Sequence, residues 1–393
     1  MNFKVISQAG NLKGKRVLLR VDFNVPLHGD ELLDDSRITS IIPTLKYLER
    51  AGVNQVTLVS HLGRPQGREV KGLSLRPVAK SLSKLIKRPV KFLTLRQALA
   101  SGMNGEPIRL LENIRFEPEE DTNDRNLARL LAQLGDIFVN DAFSVCHHAG
   151  ASTVAVTRYL PSYAGLFLQS EVRALEKIKH HSSAPLVLII GGSKVADKLP
   201  VIQKLLPRAQ KILVGGLVAN TFLAAQKKPM GKSGFSKELV SMAAKILKSA
   251  SRKIILPQDV VVDIVSTKKK EITVVETARV KSNQRISDLG AKTINEYAAE
   301  IKKAKTILWA GTLGIAEEPV YAHASLALGR LVSGMALGRV FALVGGGDTV
   351  GFFHQHKLWV DYFSLAGGAS LKFLAGERLP GLEALKTGWF SRR

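Results

Sequence analysis

The chain has 393 residues, with 57 lysines and arginines against 33 aspartates and glutamates, a formal net charge of +24. This length exceeds one ordinary hydrophobic core and predicts two domains, and a content of 45% hydrophobic residues is typical of a soluble globular protein. No window approaches 18 uninterrupted apolar residues, so we expect no transmembrane helix. The single cysteine, Cys146, excludes an internal disulfide and a cysteine-rich metal site. Because the N-terminus also lacks a signal-peptide pattern, we expect a cytoplasmic protein.

Part of the positive charge lies in short lysine runs, such as residues 268–270 and 302–303. A strongly basic surface can bind nucleic acid, membrane surfaces or small anions. Nucleic-acid sites interleave aromatic with basic residues, whereas aromatic residues make up only 6% of this chain and form no such stripe. We therefore interpret the charge as a solvated basic surface and expect neither a nucleic-acid partner nor a membrane partner.

Short runs rich in valine, isoleucine and leucine recur along the chain, with helical patterns between them. Continuously hydrophobic strands are typical of parallel sheets that are covered on both faces, so the alternation predicts an α/β, doubly wound fold. The first series of predicted strands comprises Arg16–Val21, Gln55–Ser60, Ile108–Leu111 and Ile137–Val139. The second series comprises Leu186–Ile190, Ile212–Val214, Ile254–Leu256, Thr306–Trp309 and Val340–Val344. Two series predict two similar domains.

The boundary between the two series coincides with an amphipathic pattern over Leu168–Lys179. Val172, Leu175 and Ile178 share one side of this predicted helix, which we interpret as the connector. The pattern places a first domain at residues 1–167, a second at 168–374 with a helical hinge at about 168–180, and a C-terminal tail at 375–393. Arg378–Leu382 is interpreted as chain punctuation before a short tail.

Charged and polar residues follow the strands of the first series. Ligands of open parallel sheets bind beyond the carboxyl ends of the strands. Three arginines and several histidines therefore converge on one edge, and arginine is the side chain suited to bidentate phosphate contact. The pattern predicts a site for a small phosphorylated acid, the alternative being surface arginines with no shared site. The residues at these strand ends, together with Arg37 in a loop before a helix, are Asp22, Phe23, Asn24, His61, Leu62, Gly63, Arg64, Arg115 and His148.

Glycines occupy the corresponding positions of the second series. Glycine lets backbone amides approach phosphates closely, and a helix N-terminus adds a favourable dipole. An ordinary P-loop is excluded because Gln226 stands where it requires glycine, and a dinucleotide fingerprint is excluded because Val350 takes the place of its last glycine. The glycine segments lie at residues 191–192, 215–216, 311–314, 345–347 and 367–368.

Seven motifs follow one another in order over nearly the whole chain: Arg20–Pro26, Ser60–Pro65, Leu111–Phe116, Val139–Phe143, Gly191–Lys198, Asp288–Thr293 and Gly345–Thr349. Together they resemble the phosphoglycerate kinase family. The resemblance implies two Rossmann-like domains joined by a helical hinge, with the C-terminal tail returning to the first domain. It also implies reversible phosphoryl transfer between 1,3-bisphosphoglycerate and Mg-ADP, giving 3-phosphoglycerate and ATP, in a protein that we expect to be monomeric.

The resemblance assigns roles to the residues at the strand ends. The phosphoglycerate would be bound by Asp22, Phe23, Asn24, Arg37, His61, Leu62, Gly63, Arg64 and Arg115, with His148 where the family has a substrate-binding arginine. The nucleotide would be bound by Lys198, Gly290, Glu317, Gly346, Gly347, Asp348 and Thr349, with Asp348 near its Mg²⁺. The catalytic residues would be Arg37, Lys194 and Lys198. Because the attacking carboxylate is already ionised at pH 7, the family's chemistry needs no general base.

The sequence departs from the family's pattern at several of these positions. Gly150 stands in place of a histidine and Ala310 in place of an asparagine near the nucleotide, and Leu365 and Ala366 remove a hydroxyl and a glycine before the last predicted helix. The main cations, Arg37, Arg64, Arg115, Lys194 and Lys198, are all present. Two alternatives therefore stay open beside an active kinase. One is a degenerate member that binds nucleotide with little turnover, and the other is a binding protein that uses its basic surface.

Overall fold

The computed structural model describes residues 3–101, 106–250, 252–264 and 271–387. Contacts divide the chain into one compact unit formed by residues 1–173 together with 378–393, and a second unit formed by residues 174–377. The lysine run at 268–270 and positions 388–393 of the predicted tail lie outside the described residues. Within the described ranges, no helix is both long enough and apolar enough to cross a membrane.

The first unit is built on a six-stranded parallel sheet with the order β5-β6-β4-β1-β7-β8. Its strands, with the short hairpin β2–β3, are β1 Arg16–Arg20, β2 Leu27–His28, β3 Glu31–Leu32, β4 Gln55–Val59, β5 Lys91–Leu93, β6 Ile108–Leu111, β7 Ile137–Asn140 and β8 Ser162–Ala164. Its first helices are α1 Ser36–Ser40, α2 Ile42–Arg50, α3 Arg76–Ile86, α4 Leu95–Ala100 and α5 Arg125–Ala132. Successive side chains of β1 lie on opposite faces of the sheet. Val17 and Leu19 accordingly belong to one hydrophobic cluster and Leu18 to another.

Helix α6 spans Leu166–His180 and contains the predicted connector. Its residues up to Arg173 belong to the first unit and those from Ala174 to the second. The start of α6 is held by side chains of the first unit. The Leu166 N–H donates to Thr44 Oγ1 at 3.1 Å, and the Leu168 N–H donates to Asp141 Oδ1 at 2.8 Å.

The second unit repeats the architecture around a six-stranded parallel sheet with the order β11-β10-β9-β15-β16-β17. A three-stranded antiparallel sheet, β13-β12-β14, accompanies it. The strands are β9 Leu186–Ile190, β10 Ala209–Val214, β11 Ile254–Ile255, β12 Asp259–Ile264, β13 Ile272–Glu276, β14 Gln284–Leu289, β15 Thr306–Ala310, β16 Phe341–Gly345 and β17 Tyr362–Ser364. The helices are α7 Val195–Leu205, α8 Gly216–Ala225, α9 Val240–Ala250, α10 Ala291–Ile301, α11 His323–Ala336, α12 Gly347–Gln355 and α13 Gly368–Ala375.

A last helix, α14 at Pro380–Thr387, belongs to the first unit. It packs against β8, and the Gly381 N–H donates to the Cys146 carbonyl at 2.9 Å. A Cβ on Gly381 would lie 2.8 Å from the Cys146 Cα, so this close approach requires glycine. The interpretation of Arg378–Leu382 as punctuation was therefore wrong, because Pro380 and Gly381 open a helix, whose first turn tolerates proline.

The predicted fold class, a pair of doubly wound parallel-sheet domains, is confirmed. The nine predicted strands are all present, with ends that move by up to three residues. The strands absent from the prediction are short edge strands, such as β5 and β17, and the antiparallel sheet. The antiparallel sheet was missed partly because β13 is mostly exposed. Strands open to solvent lack the continuous apolar run that indicates a buried parallel strand.

Candidate active site: two half-sites

The candidate residues occur on both units and are described unit by unit. On the first unit they surround the carboxyl ends of β1, β4, β6 and β7. Arg37 is the second residue of α1 rather than part of a loop, and its guanidinium forms an ion pair with the Asp22 carboxylate. The Ser144 hydroxyl donates to the same carboxylate. Burial lowers the pKa of Arg37, and the Glu171 carboxylate acts in the opposite direction.

His61 is buried beside three arginines. Its Nδ1 lies 3.4 Å from the Arg20 guanidinium, which can only donate, so Nδ1 accepts and Nε2 carries the proton. Burial, followed by the charges of Arg20, Arg115 and Arg37, lowers the pKa of His61 well below its usual value. His61 is therefore neutral at pH 7, and its 3.9 Å approach to the Asp22 carboxylate is not an ion pair.

Phe23 and Leu62 cannot offer their side chains to a ligand. Phe23 is fully buried and Leu62 is 4% exposed, and both belong to the hydrophobic cluster beneath the site. Their contribution is confined to the backbone, where the Phe23 N–H donates to Ser60 Oγ at 2.8 Å. Asn24 acts through its side chain, because its Oδ1 accepts the Gly63 N–H at 2.9 Å and fixes the loop after β4.

The remaining substrate-side residues are more open. Arg115 donates to the Gly63 carbonyl at 2.8 Å and lies 3.4 Å from Asp121. Arg64 is exposed. His148 is also exposed, with its ring centroid 3.9 Å from that of His147.

Gly150 abuts a buried carboxylate. A Cβ at Gly150 would lie 2.7 Å from Glu120 Oε1, so this position lacks room for a larger side chain unless Glu120 moves.

Sequence reasoning missed a buried network that supports this half-site. Arg20 donates through Nε to Ser152 Oγ at 2.8 Å, and Ser152 donates through its hydroxyl and N–H to Glu120 at 2.6 and 2.9 Å. Burial lowers the pKa of Arg20 to about 10, with Glu120 acting in the opposite direction. The sequence carried one signal for this network. Arg20 is a charged residue at the end of β1, whose preceding residues are hydrophobic.

Asn113 is a second residue that the prediction did not include. It is 1% exposed, accepts the N–H groups of Leu62 and Arg115, and donates to the carbonyls of Leu62 and Leu73. These bonds tie the loop after β4 to the turn after β6. Asn113 therefore positions the backbone of these two loops, including that of Arg115, and is itself too buried to contact a ligand.

On the second unit, the predicted nucleotide residues line one cavity of about 360 Å³ at the carboxyl ends of the parallel strands. Glycines at several strand ends line it, together with seven charged side chains: Lys194, Asp197, Lys198, Arg285, Asp288, Glu317 and Asp348. The predicted residues in its wall are Lys194, Lys198, Glu317, Gly346, Gly347, Asp348 and Thr349. Gly290 is the exception, since it does not line the cavity but caps α10, where a Cβ would lie 2.3 Å from the Asp259 carboxylate.

Lys198 is the buried cation of this cavity. Its ammonium donates to the Gly191 carbonyl, and Cβ atoms at Gly192 and Gly311 would lie 2.7 and 2.5 Å from Nζ. Three glycines thus make the space that the ammonium occupies. Burial lowers the pKa of Lys198 to about 8, while Asp197 and Asp348 act in the opposite direction.

Two helix N-termini face the cavity through their glycines. Gly346, at φ 98, precedes α12, and Gly367, at φ 54, precedes α13. Thr349 Oγ1 accepts the Gly311 N–H at 2.9 Å, which joins α12 to the turn after β15. Helix N-termini with glycine backbone attract anions, so this end of the cavity suits phosphate groups.

Side-chain contacts hold the turns around the cavity. Ser325 Oγ accepts the Leu313 N–H at 2.9 Å, which holds the turn that carries Gly311 and Gly314. Ala310 closes β15 and is buried. Asp288 lines the cavity and caps α11 through the Ala324 N–H at 3.1 Å, and burial raises its pKa to about 6.

Comparisons with known proteins identify the family of this chain. The family model for phosphoglycerate kinase matches residues 6–377. Curated phosphoglycerate kinases include that of Thermomicrobium roseum, 40% identical over 94% of this chain and 96% of that protein, and that of Borrelia garinii, 38% identical over 98% and 100%. The solved phosphoglycerate kinase of Coxiella burnetii, 36% identical, superposes with a TM-score of 0.86 over 98% of this chain and 99% of that one. This chain belongs to the phosphoglycerate kinase family.

Proposed function

We propose that the two half-sites divide the substrates of the phosphoglycerate kinase reaction between them, with the phosphoglycerate on the first unit and the nucleotide on the second. The chain is a phosphotransferase with a carboxyl group as acceptor. It interconverts 1,3-bisphosphoglycerate and ADP with 3-phosphoglycerate and ATP. The observation that carries the division is the cavity of the second unit, where glycine backbone encloses the ammonium of Lys198.

The first unit would bind the phosphoglycerate through cations. Arg37, Arg64 and Arg115 supply guanidinium groups, and neutral His61 supplies an N–H donor at Nε2. The Asp22 carboxylate holds Arg37 in its present orientation. Arginine suits a ligand with a carboxylate and a phosphate because its planar fork makes two parallel hydrogen bonds to such groups.

In the direction that consumes ATP, the nucleophile is the carboxylate of 3-phosphoglycerate, which is ionised at neutral pH; it attacks the γ-phosphorus, and ADP is the leaving group. The protein's contribution is then to align the carboxylate with the γ-phosphate and to neutralise the charge of the transferring group. We assign this neutralisation to Arg37, Lys194 and Lys198. Helix α6, continuous from the first unit into the second, is proposed as the hinge whose bending brings the half-sites together and excludes water.

Magnesium that accompanies the nucleotide fits the residues present. Asp348 is exposed in the first turn of α12, at the mouth of the cavity. Among the described residues, no group of three or more histidines, cysteines or carboxylates forms a metal cage. This suits Mg²⁺, which is usually held by one or two carboxylates together with waters and substrate phosphates. Bound there, the ion would neutralise phosphate charge. We further propose a monomeric enzyme that acts in the cytoplasm, where the family's metabolites lie.

A coupled assay of the purified chain with 3-phosphoglycerate and Mg-ATP tests the proposal. Arg37→Ala is expected to lower kcat/KM by about 10²–10³-fold, a loss typical of removing one group that stabilises transition-state charge. Arg50→Ala, an exposed arginine in the last turn of α2, is the matched control and should retain full activity. Equal activity in the parent and Arg37→Ala would refute the assigned role. A parent that binds ADP without turnover would instead identify a degenerate member.

A further inference from the structure

The edge of the second parallel sheet opposite to the nucleotide cavity carries a row of cations. The cavity follows the carboxyl ends of the strands, whereas these residues precede the strands. Arg208, Lys253 and Lys305 stand directly before β10, β11 and β15, respectively. Arg339 stands two residues before the start of β16. Because the strands are parallel neighbours, their N-terminal ends share one edge. We call these four residues the basic edge.

Hydrogen bonds show that the members of the basic edge are neighbours in space. Lys253 Nζ donates to the Leu206 and Pro207 carbonyls at 3.0 and 3.2 Å, directly before Arg208.

The chain of contacts continues across the sheet. The Lys305 N–H donates to the Pro185 carbonyl at 2.9 Å, and the Phe341 N–H donates to the Lys305 carbonyl at 3.1 Å. The row therefore spans the five neighbouring strands β11, β10, β9, β15 and β16, of which all but β9 are preceded by a member of the basic edge, and it extends over about 19 Å at the usual strand spacing.

The charges of the row are open to solvent and little compensated. Arg208, Lys305 and Arg339 are exposed, and Lys253 is partly exposed. The carboxylates near this edge include Glu176, which like Arg208 lies close enough to His180 to act on its charge. Two others are held by different partners. Glu300 is paired with Lys303 at 2.7 Å, and Asp361 accepts the Ala342 N–H at 2.8 Å. Neither of these contacts is with a member of the basic edge.

The first unit provides an internal comparison, since it has the same architecture and belongs to the same basic chain. The residues directly before its parallel strands are Lys15, Asn54, Val90, Pro107, Asp136 and Pro161. One is a cation and one a carboxylate, and Asp136 pairs with Arg16 at 2.7 Å. Counted in the same way, the second unit has three cations, Arg208, Lys253 and Lys305, and one carboxylate, Asp361. Cations are therefore more frequent directly before its strands, although Arg16 and Lys91 open β1 and β5 of the first unit.

We propose that the basic edge is a binding surface for single-stranded nucleic acid, recognised through its phosphodiester backbone without regard to sequence. A row of like charges matches a linear polyanion, which binds by releasing counterions. Trp359, 47% exposed in the segment that precedes β17, provides an aromatic side chain at the next strand along the sheet, on which a base can stack. An anionic membrane is the weaker match, because membrane-surface elements combine cations with a broad apolar face.

The test uses the full chain and a fluorescein-labelled 20-nucleotide oligothymidylate, with binding followed by anisotropy between 50 and 300 mM salt. Four phosphate contacts predict a slope of log K against log salt of about −3. The variant Arg208→Glu/Lys305→Glu/Arg339→Glu should bring the slope to about −1 or abolish binding. Trp359→Ala should weaken binding about fivefold or more. Saturating Mg-ADP should leave binding intact, which separates the basic edge from the nucleotide cavity.

The matched control is Lys80→Glu/Arg96→Glu/Arg125→Glu, which makes the same charge change at exposed positions of the first unit. It should keep the parent's slope. Both triple variants should retain kinase activity, which reports correct folding. If the glutamate variant is misfolded, the glutamine triple at Arg208, Lys305 and Arg339 replaces it. The proposal would be overturned if both triple variants lost binding equally or if the parent did not bind the oligothymidylate. It would also be overturned if the basic-edge variant lost binding to phosphatidylserine vesicles but not to the oligothymidylate.

Discussion

The pKa of Lys198 predicts an unusual pH dependence of nucleotide binding. Burial lowers this pKa to about 8, so about nine-tenths of the free enzyme carries the charged ammonium at pH 7 and about one-tenth at pH 9. The charged form is the one that attracts phosphates. Affinity for Mg-ADP should therefore be nearly constant below pH 7 and should fall about tenfold between pH 7 and 9.

Calorimetric titration of the full chain with ADP at fixed free Mg²⁺ measures this fall directly. Lys198→Met keeps a side chain of similar length and removes the charge. It should bind about 10- to 150-fold more weakly at pH 7, the cost of one charge-assisted hydrogen bond, and should show no further loss up to pH 9.

Lys194→Met is the matched control, because Lys194 lines the same cavity but is exposed. It should weaken binding while retaining the parent's loss between pH 7 and 9. A parent affinity that does not change over this range, or a Lys198→Met profile that still falls, would refute the reasoning.

Three further predictions concern the first unit. His148→Arg should bind 3-phosphoglycerate more tightly than the parent at pH 8, with the advantage shrinking toward pH 6 where histidine is charged, and a ratio of affinities independent of pH would contradict a contact from His148. Asn113→Ala should raise the KM for 3-phosphoglycerate and lower the free energy of unfolding by roughly 1–3 kcal/mol, measured by urea denaturation, because the backbone groups it satisfies stay buried. Gly165→Ala should destabilise the protein by roughly 1–3 kcal/mol, because the added Cβ would lie 2.2 Å from Asp141 Oδ1. The control Gly72→Ala has open space around its Cβ and should melt within about a degree or two of the parent.

The parallel sheets were predictable because local sequence carries their signal. A strand covered on both faces must be apolar at every position, and Leu186–Ile190 is buried throughout. Short edge strands lack this signal, as β17 shows with only three residues, of which Tyr362 and Ser364 are partly polar, and their pairing is decided by the neighbouring strand. Helix α14 was missed for a related reason, because Pro380 and Gly381 are read as a turn unless the packing partner of Gly381 is known.

The sequence by itself determined which residues stand at the carboxyl ends of the strands, because strand ends are local features and parallel strands place them on one edge. The tertiary structure alone decided what those residues can do. It buried the side chains of Phe23 and Leu62, and it buried His61 beside arginines, so that its pKa is lowered and the imidazole is neutral.

Tertiary structure also assembled the basic edge. Its members are scattered from Arg208 to Arg339 and form no stripe in the sequence, where their charges read as separate surface residues. Pairing through β9 brings Arg208 and Lys305, about a hundred positions apart, to within two strand spacings of each other. Charge density at a surface depends on that spacing, and only the folded sheet establishes it.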